Sequence, residues 1–332
     1  MKALVVGYGS IGRRHIDILI NNFGVEERDI FVLDLSPDRA TEAEGAGLAI
    51  ASPEDPPTVD ICVISASTAA HESILKTLPL PRKLLYVEKP LGKDFRTIAP
   101  VARAINERAS KDGCKVVVGY MLRHHPAVKR AKEIISSGEL GRVLKYRAEC
   151  GMYLPNWHPW EDYRSFYMSK VDGGGGALLD ISHEIDLVRY LVGDVKTVSG
   201  VFGNLSSLEC SSDDFAEMML GHETGAIGSV SLDLIARDTF RKTRLVLEKG
   251  EVEIDFIQRS LRVATDINSY ELDEYELDRN DLYIEQYKDA LSDAEVGSSC
   301  SIIEGLKVME IIEGVRCSSA HQGVVSLPIY SG

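Results

Sequence analysis

At 332 residues the chain is longer than one domain usually runs, and two domains are expected. Its 44% apolar and 27% charged content is that of a folded globular protein and excludes a disordered, collagenous or coiled-coil chain. A formal net charge of −14 excludes nucleic acid or an anionic membrane surface as a natural partner, but leaves room for an anionic small molecule in a local cationic pocket.

The chain opens on alternating short apolar runs and helix-like segments. Lys2–Val6, Ile30–Leu33, Ile61–Ile64, Leu84–Val87 and Lys115–Gly119 read as strands buried on both faces, being nearly continuous in β-branched and aliphatic residues. Between them, Ile11–Asn21, Asp38–Ala46, Thr68–Thr77 and Thr97–Arg108 carry apolar residues at helical spacing. That alternation predicts a doubly wound parallel sheet, a Rossmann-type α/β domain over residues 1–122.

The pattern changes after Arg123. Helices are expected at Ala127–Ser137 and Ala177–Leu191. Strands are expected at Val143–Tyr153, Val195–Phe202, Phe215–Leu220, Ala226–Ile235, Thr243–Leu247, Glu251–Phe256 and Ser260–Val263. Two more helices follow, Asp281–Ser292 and Ile302–Ser318. Residues 123–332 therefore read as an α+β domain on a large open, mostly antiparallel sheet. Val230, Leu232 and Leu234, at alternate positions, are expected on its uncovered face, where they would bury against another copy in a homodimer or homotetramer.

Met1–Gly7 is too short an apolar run for a signal peptide, and no stretch approaches the ~20 apolar residues of a membrane helix. The six cysteines show no CxxC pair and no Cys/His cluster at zinc spacing. Reduced thiols, a cytoplasmic setting and no metal are the expectation.

Gly7-Tyr8-Gly9-Ser10-Ile11-Gly12 follows the first strand and opens the first helix. In a GxGxxG turn the first glycine makes the tight bend, the second lets backbone approach a pyrophosphate, and the third lets helix pack on strand. Asp34 ends the second strand about 20 residues further on, where an acid bonds a ribose 2′-hydroxyl and repels a 2′-phosphate. NAD is therefore favoured, with NADP left open by Arg39 nearby. Small residues at the end of the third strand, Ser65 to Thr68, leave room for a cofactor, although Ser67 or Thr68 serves equally well as a helix cap.

Lys89 follows the fourth strand at its C-terminal end, within Glu88-Lys89-Pro90; an ammonium there can stabilise alkoxide character as hydride leaves a carbinol. Gly173 to Gly176 lead into a predicted helix that sets Asp180 and His183 three residues apart on one face, a carboxylate orienting a base suited to neutral pH.

Together these segments resemble the glucose–fructose oxidoreductase / inositol dehydrogenase (Gfo/Idh/MocA) family. The likeness extends over Val118-Gly119-Tyr120, Arg123, Pro126, Gly138-Glu139-Leu140-Gly141 and Gly174–Asp186. It implies an NAD(P)-dependent oxidation of a secondary alcohol, with Lys89 as catalytic lysine, His183 as acid/base and Asp180 as its partner. It further implies that Glu88, Ser65, Ser67 and His71 line the nicotinamide half of the cofactor site. Tyr153–Trp160, Tyr163-Arg164 and Arg279–Tyr283 resemble members that act in surface-polysaccharide and nonulosonic-acid pathways, which implies a sugar, nucleotide sugar or acidic sugar as substrate. In that reading Arg123, Trp157, Tyr163 and Arg164 bind substrate, an aromatic face on a pyranose and an arginine on an anion, or else the aromatics pack a domain junction. Some members use NAD transiently without net redox change, and a non-catalytic sensor is a third reading. Three features depart from the family pattern: the Asp180–His183 spacing is one residue short, Met121 stands where asparagine is frequent, and Leu78–Lys83 replaces a Gly-Lys turn.

Overall fold

The computed structural model of the protein describes residues 1–157, 159–266, 269–278, 280–292 and 297–329. His158, Arg279 and the stretch 330–332, which belong to motifs or domain bounds named above, lie outside them. The chain forms two compact units, Met1–Met121 with Arg279–Leu306, and Leu122–Asp278 with Lys307–Gly332.

In the first unit β1 (Ala3–Val6), β2 (Ile30–Leu33), β3 (Ala49–Ile50), β4 (Ile61–Ile64), β5 (Leu84–Val87) and β6 (Lys115–Val118) lie in the order β6-β5-β4-β1-β2-β3, every neighbour parallel. All four residues of β1, β4 and β5 are buried, as continuous apolar strands require when both faces are covered. The connecting helices are α1 (Ser10–Phe23), α2 (Pro37–Gly45), α3 (His71–Thr77) and α4 (Phe95–Asp112). Asp94 caps α4, its carboxylate accepting from the Arg96 and Thr97 amides at 2.8 and 3.2 Å, so the helix starts earlier than its apolar spacing indicates.

The second unit contains α5 (Pro126–Ser137), α6 (Leu154–Trp157), α7 (Ala177–Asp180) and α8 (His183–Val192). Its sheet comprises β7 (Val143–Tyr153), β8 (Val195–Gly203), β9 (Phe215–His222), β10 (Ile227–Asp233), β11 (Ile235–Leu247), β12 (Gly250–Asp255), β13 (Ser260–Asp266) and β14 (Ser269–Glu274). The order is β14-β13-β12-β11-β7-β10-β9-β8, antiparallel throughout except where β10 runs parallel to β7. Two-residue strands extend both sheets, β15 (Cys300–Ser301) beside β6 and β16 (Val325–Ser326) beside β8.

Three sequence expectations are corrected. Helix α9 (Asp281–Leu291) belongs to the first unit, because Tyr283, Tyr287 and Ala290 pack into its core with Ile16 and Leu19. The single helix expected over Ala177–Leu191 is two helices, broken at Ile181 (φ −96°, ψ 24°) and Ser182 (φ −66°, ψ −5°); Asp180 ends one and His183 begins the next, so they do not share a continuous helix face. Val230, Leu232 and Leu234 are fully buried on the inner side of their sheet; alternation sets the period of a strand but not which face is covered. The outer side of these strands carries Glu217, Met219, Ile227, Lys145 and Arg147 instead. Among the described residues no helix is long and apolar enough to cross a membrane.

Candidate active site

The glycine turn is shaped by backbone crowding. Gly7 has φ +101°, and a Cβ there would lie 2.7 Å from the Ala66 amide nitrogen. A Cβ on Gly12 would lie 1.9 Å from the Gly7 carbonyl oxygen, so the helix packs on the strand only without a side chain. At Gly9 a Cβ would meet nothing nearer than Arg39 at 4.0 Å, leaving open approach to the backbone. The first i→i−4 bond of α1 runs from Arg13 N to Gly9 O at 3.0 Å, so the amides of Ser10, Ile11 and Gly12 precede it at the positive end of the helix. Ser65 Oγ donates to the Gly7 and Val6 carbonyls at 2.9 and 3.2 Å, fastening the turn to the end of β4.

Asp34 follows β2. Its carboxylate accepts from Tyr8 N at 2.7 Å and Ser36 N at 2.9 Å, and Arg39 Nη1 lies 3.8 Å from it. Gly7, Gly9, Asp34, Leu35, Arg39 and Ser67 are among the residues around one cavity of about 400 Å³. Leu35, 84% exposed, and Ile74 give this cavity apolar walls.

Lys89 is partly exposed one residue beyond Glu88, in the segment that continues β5. Two buried histidines hold that segment. His71 places Nδ1 3.1 Å from the Pro90 carbonyl and Nε2 3.1 Å from the Ala66 carbonyl, tying the loop after β4 to the loop after β5. Burial pushes its pKa below the usual histidine value, against the pull of these carbonyls and of Glu88. His15, which sequence reasoning missed, lies 2.8 Å from Glu88 Oε1. Its signal in the sequence was slight: one histidine on the buried face of α1.

In the second unit the four glycines fit a crowded turn. Gly176 has φ +116°, and a Cβ there would lie 2.3 Å from Asp213 Oδ1. Asp213 takes the Leu178 amide at 2.8 Å, and burial raises its pKa. Asp180 Oδ2 accepts from Gly176 N at 3.0 Å, closing its own turn. His183 is buried at the start of α8. The next acids on α8 are engaged by arginines: Glu184 with Arg241, and Asp186 with Arg123 through Nε at 2.8 Å and Nη2 at 2.6 Å.

Arg123 is 2% exposed, and its guanidinium lies over Tyr190, 4.9 Å from the ring centroid. It is thus placed as a pin for α8. Arg164 lies at the surface between Asp162 and Glu209, at 2.7 and 2.8 Å, and Tyr163 Oη accepts from Glu209 N at 3.1 Å. Trp157 ends α6 half exposed. The structure therefore joins Gly7, Gly9, Asp34, Ser65 and Ser67 around the glycine turn and sets His71 and Glu88 behind Lys89. In the second unit it brings Tyr163 and Arg164 together at Glu209 and ties Arg123 to α8.

A glycine turn between β1 and α1, an acid after β2 and a separate α+β unit define the class of Rossmann-type dinucleotide folds with an appended sheet domain. Residues 128–253 match the family model described as GFO/IDH/MocA C-terminal domain. The chain is 27% identical over 242 residues to scyllo-inositol 2-dehydrogenase (NAD(+)) of Bacillus subtilis (strain 168), a match covering 69% of this chain and 66%, just under two thirds, of that enzyme. Among solved structures it resembles levoglucosan dehydrogenase in complex with NADH and levoglucosan, with TM-score 0.81, 20% identity and 99% of each chain covered. It also resembles the WlbA dehydrogenase from Bordetella pertussis in complex with NADH and UDP-GlcNAcA, with TM-score 0.77, 18% identity and 99% of each chain covered. These structural likenesses show the fold.

Proposed function

We propose that the protein is an NAD-dependent oxidoreductase acting on a secondary alcohol of a sugar, nucleotide sugar or acidic sugar. The observation that carries this is the first unit's cavity, with an open glycine backbone on one side and a twice-anchored acid on the other. A dinucleotide fits these residues: the start of α1 suits its phosphates, Asp34 its ribose hydroxyls, and the walls at Leu35 and Ile74 its adenine. Bound there, the nicotinamide supplies the hydride acceptor or donor. The chain's own residues do the rest: Lys89 holds the reacting oxygen and stabilises its developing charge, His183 exchanges the proton, and Asp180 keeps the turn before α8 in place. The relatives support the substrate class, one named for an inositol and one crystallised with levoglucosan. UDP-GlcNAcA in the WlbA dehydrogenase supports the acidic nucleotide sugar within it. Binding of substrate by Arg123, Trp157, Tyr163 and Arg164 belongs to the same proposal, with Arg123 acting through α8.

Paired fluorescence titrations with NADH and NADPH test the cofactor half. NADH is expected to bind more tightly, and Asp34→Ser to cut the preference by about tenfold, the worth of one charge-assisted contact. An unchanged preference in the variant contradicts the role given to Asp34.

We further assign the protein to the cytoplasm, supported by six cysteines scattered along the chain with no CxxC pair, and to a homodimer or homotetramer through the sheet of the second unit. Val201, Met219 and Ile227, 52%, 49% and 55% exposed on β8, β9 and β10, support that face as the contact. Light scattering is expected to report two or four chains, and one chain for the double variant Met219→Lys, Ile227→Glu. A wild-type monomer contradicts the assignment.

A further inference from the structure

We propose that His15 and Tyr287 are positioning residues for Lys89, acting through Glu88. The inference rests on the role assigned to Lys89 above, and every group in it belongs to the first unit.

His15 is fully buried in a cage of rings, with centroids of Tyr86, Tyr283 and Tyr287 at 4.8, 5.6 and 5.7 Å. Its Nε2 lies 2.8 Å from Glu88 Oε1 and its Nδ1 2.9 Å from Tyr287 Oη. The other carboxylate oxygen, Oε2, accepts from the Lys89 backbone amide at 3.2 Å. Four groups thus form one line from α9 to the backbone of Lys89.

The line has a direction. An ionised Glu88 only accepts, so His15 gives it the Nε2 proton. Nδ1, the ring's other nitrogen, then faces the Tyr287 hydroxyl, which has a proton to share. Burial raises the pKa of Tyr287 well above the usual tyrosine value, so its hydroxyl keeps the proton it donates.

The side chains around the line fix it further. Tyr86 Oη donates to Gln286 Oε1 at 2.7 Å, and Gln286 Nε2 donates to the Val118 carbonyl at 3.0 Å, which orients α9 against β6. Gly119 closes the space, since a Cβ there would lie 2.9 Å from Glu88 Oε2. Apolar side chains of like volume would pack such a cage at least as well, because burying a carboxylate and an imidazole costs solvation. What the polar set adds is geometry: one orientation of Glu88, ending on the residue that the proposed chemistry needs in place.

Two substitutions separate hydrogen bonding from packing. His15→Phe keeps a ring in the cage and removes both nitrogens; His15→Gln loses the ring and keeps a donor for Glu88. The first readout needs neither substrate nor cofactor: amide exchange at Lys89, followed by NMR. Exchange is expected to quicken in His15→Phe and to stay close to wild type in His15→Gln. In turnover, kcat is expected to fall about tenfold to a hundredfold in His15→Phe with NADH affinity nearly kept, and Gln to recover most of the loss. Tyr287→Phe, which removes one hydroxyl, is expected to show a smaller loss that does not add to that of His15→Phe. It carries the test if His15→Phe fails to fold. Wild-type exchange and kcat in His15→Phe, or a greater loss with Gln than with Phe, overturns the positioning role. A wild-type protein that binds NADH and turns over no sugar overturns the oxidoreductase reading instead, while the exchange pattern still decides whether the line holds Lys89.

Discussion

Lys89→Met is expected to lower kcat/KM by about 10²–10³-fold while leaving NADH affinity within about twofold of wild type. Methionine keeps most of the length of lysine and removes the ammonium, so the variant tests charge at little cost in shape. Lys89 lies outside the residues that surround the 400 Å³ cavity, which is why binding and turnover should part company. The loss should appear as a lower kcat rather than a higher KM, because the ammonium acts on charge that develops only as the oxygen becomes an alkoxide. Steady-state kinetics beside a fluorescence titration checks both halves. Near-normal turnover removes Lys89 from the chemistry.

The largest effect on stability is expected from Asp186→Ala. Asp186 and Arg123 have side chains only 2% exposed, joined through two guanidinium nitrogens at 2.8 and 2.6 Å. Breaking such a buried pair by removing one member costs about 3–5 kcal/mol, far more than an exposed pair contributes. For a chain of this size that corresponds to a fall in Tm of roughly 4–7 °C, readable by calorimetry. The control is the double variant Asp186→Ala, Arg123→Met, which removes both charges and should recover part of the loss. If the double variant is no more stable than the single one, the pair is not what holds α8.

Five parallel strands and the four helices between them in the first unit were legible because each depends on neighbours in sequence. Strands buried on both faces read as continuous apolar runs, and the glycine turn is a local backbone requirement that Gly7 and Gly12 meet at distances where no Cβ fits. What the chain brings together from afar was not legible. Tyr287 meets His15 across 272 positions, and nothing in the Asp281–Ser292 stripe says which core it enters. The break at Ile181 and Ser182 was hidden because helical spacing continues across it while the backbone does not. Arginines carry two readings for a chemical reason: a guanidinium suited to a substrate anion is equally suited to Asp186, with which Arg123 pairs. The burial of Val230, Leu232 and Leu234 makes the same point for a sheet, where alternation fixes two faces and packing alone names the covered one.

The most direct test of the central claim is incubation of the purified protein with NAD and a panel of inositols, anhydrosugars, uronic acids and nucleotide-linked acidic sugars, following reduced nicotinamide and sugar product together. For at least one of them reduced cofactor is expected to accumulate in step with a keto sugar, and the product to be lost in Lys89→Met. Tight NADH binding with neither reduced cofactor nor a keto sugar formed from any of these sugars contradicts it.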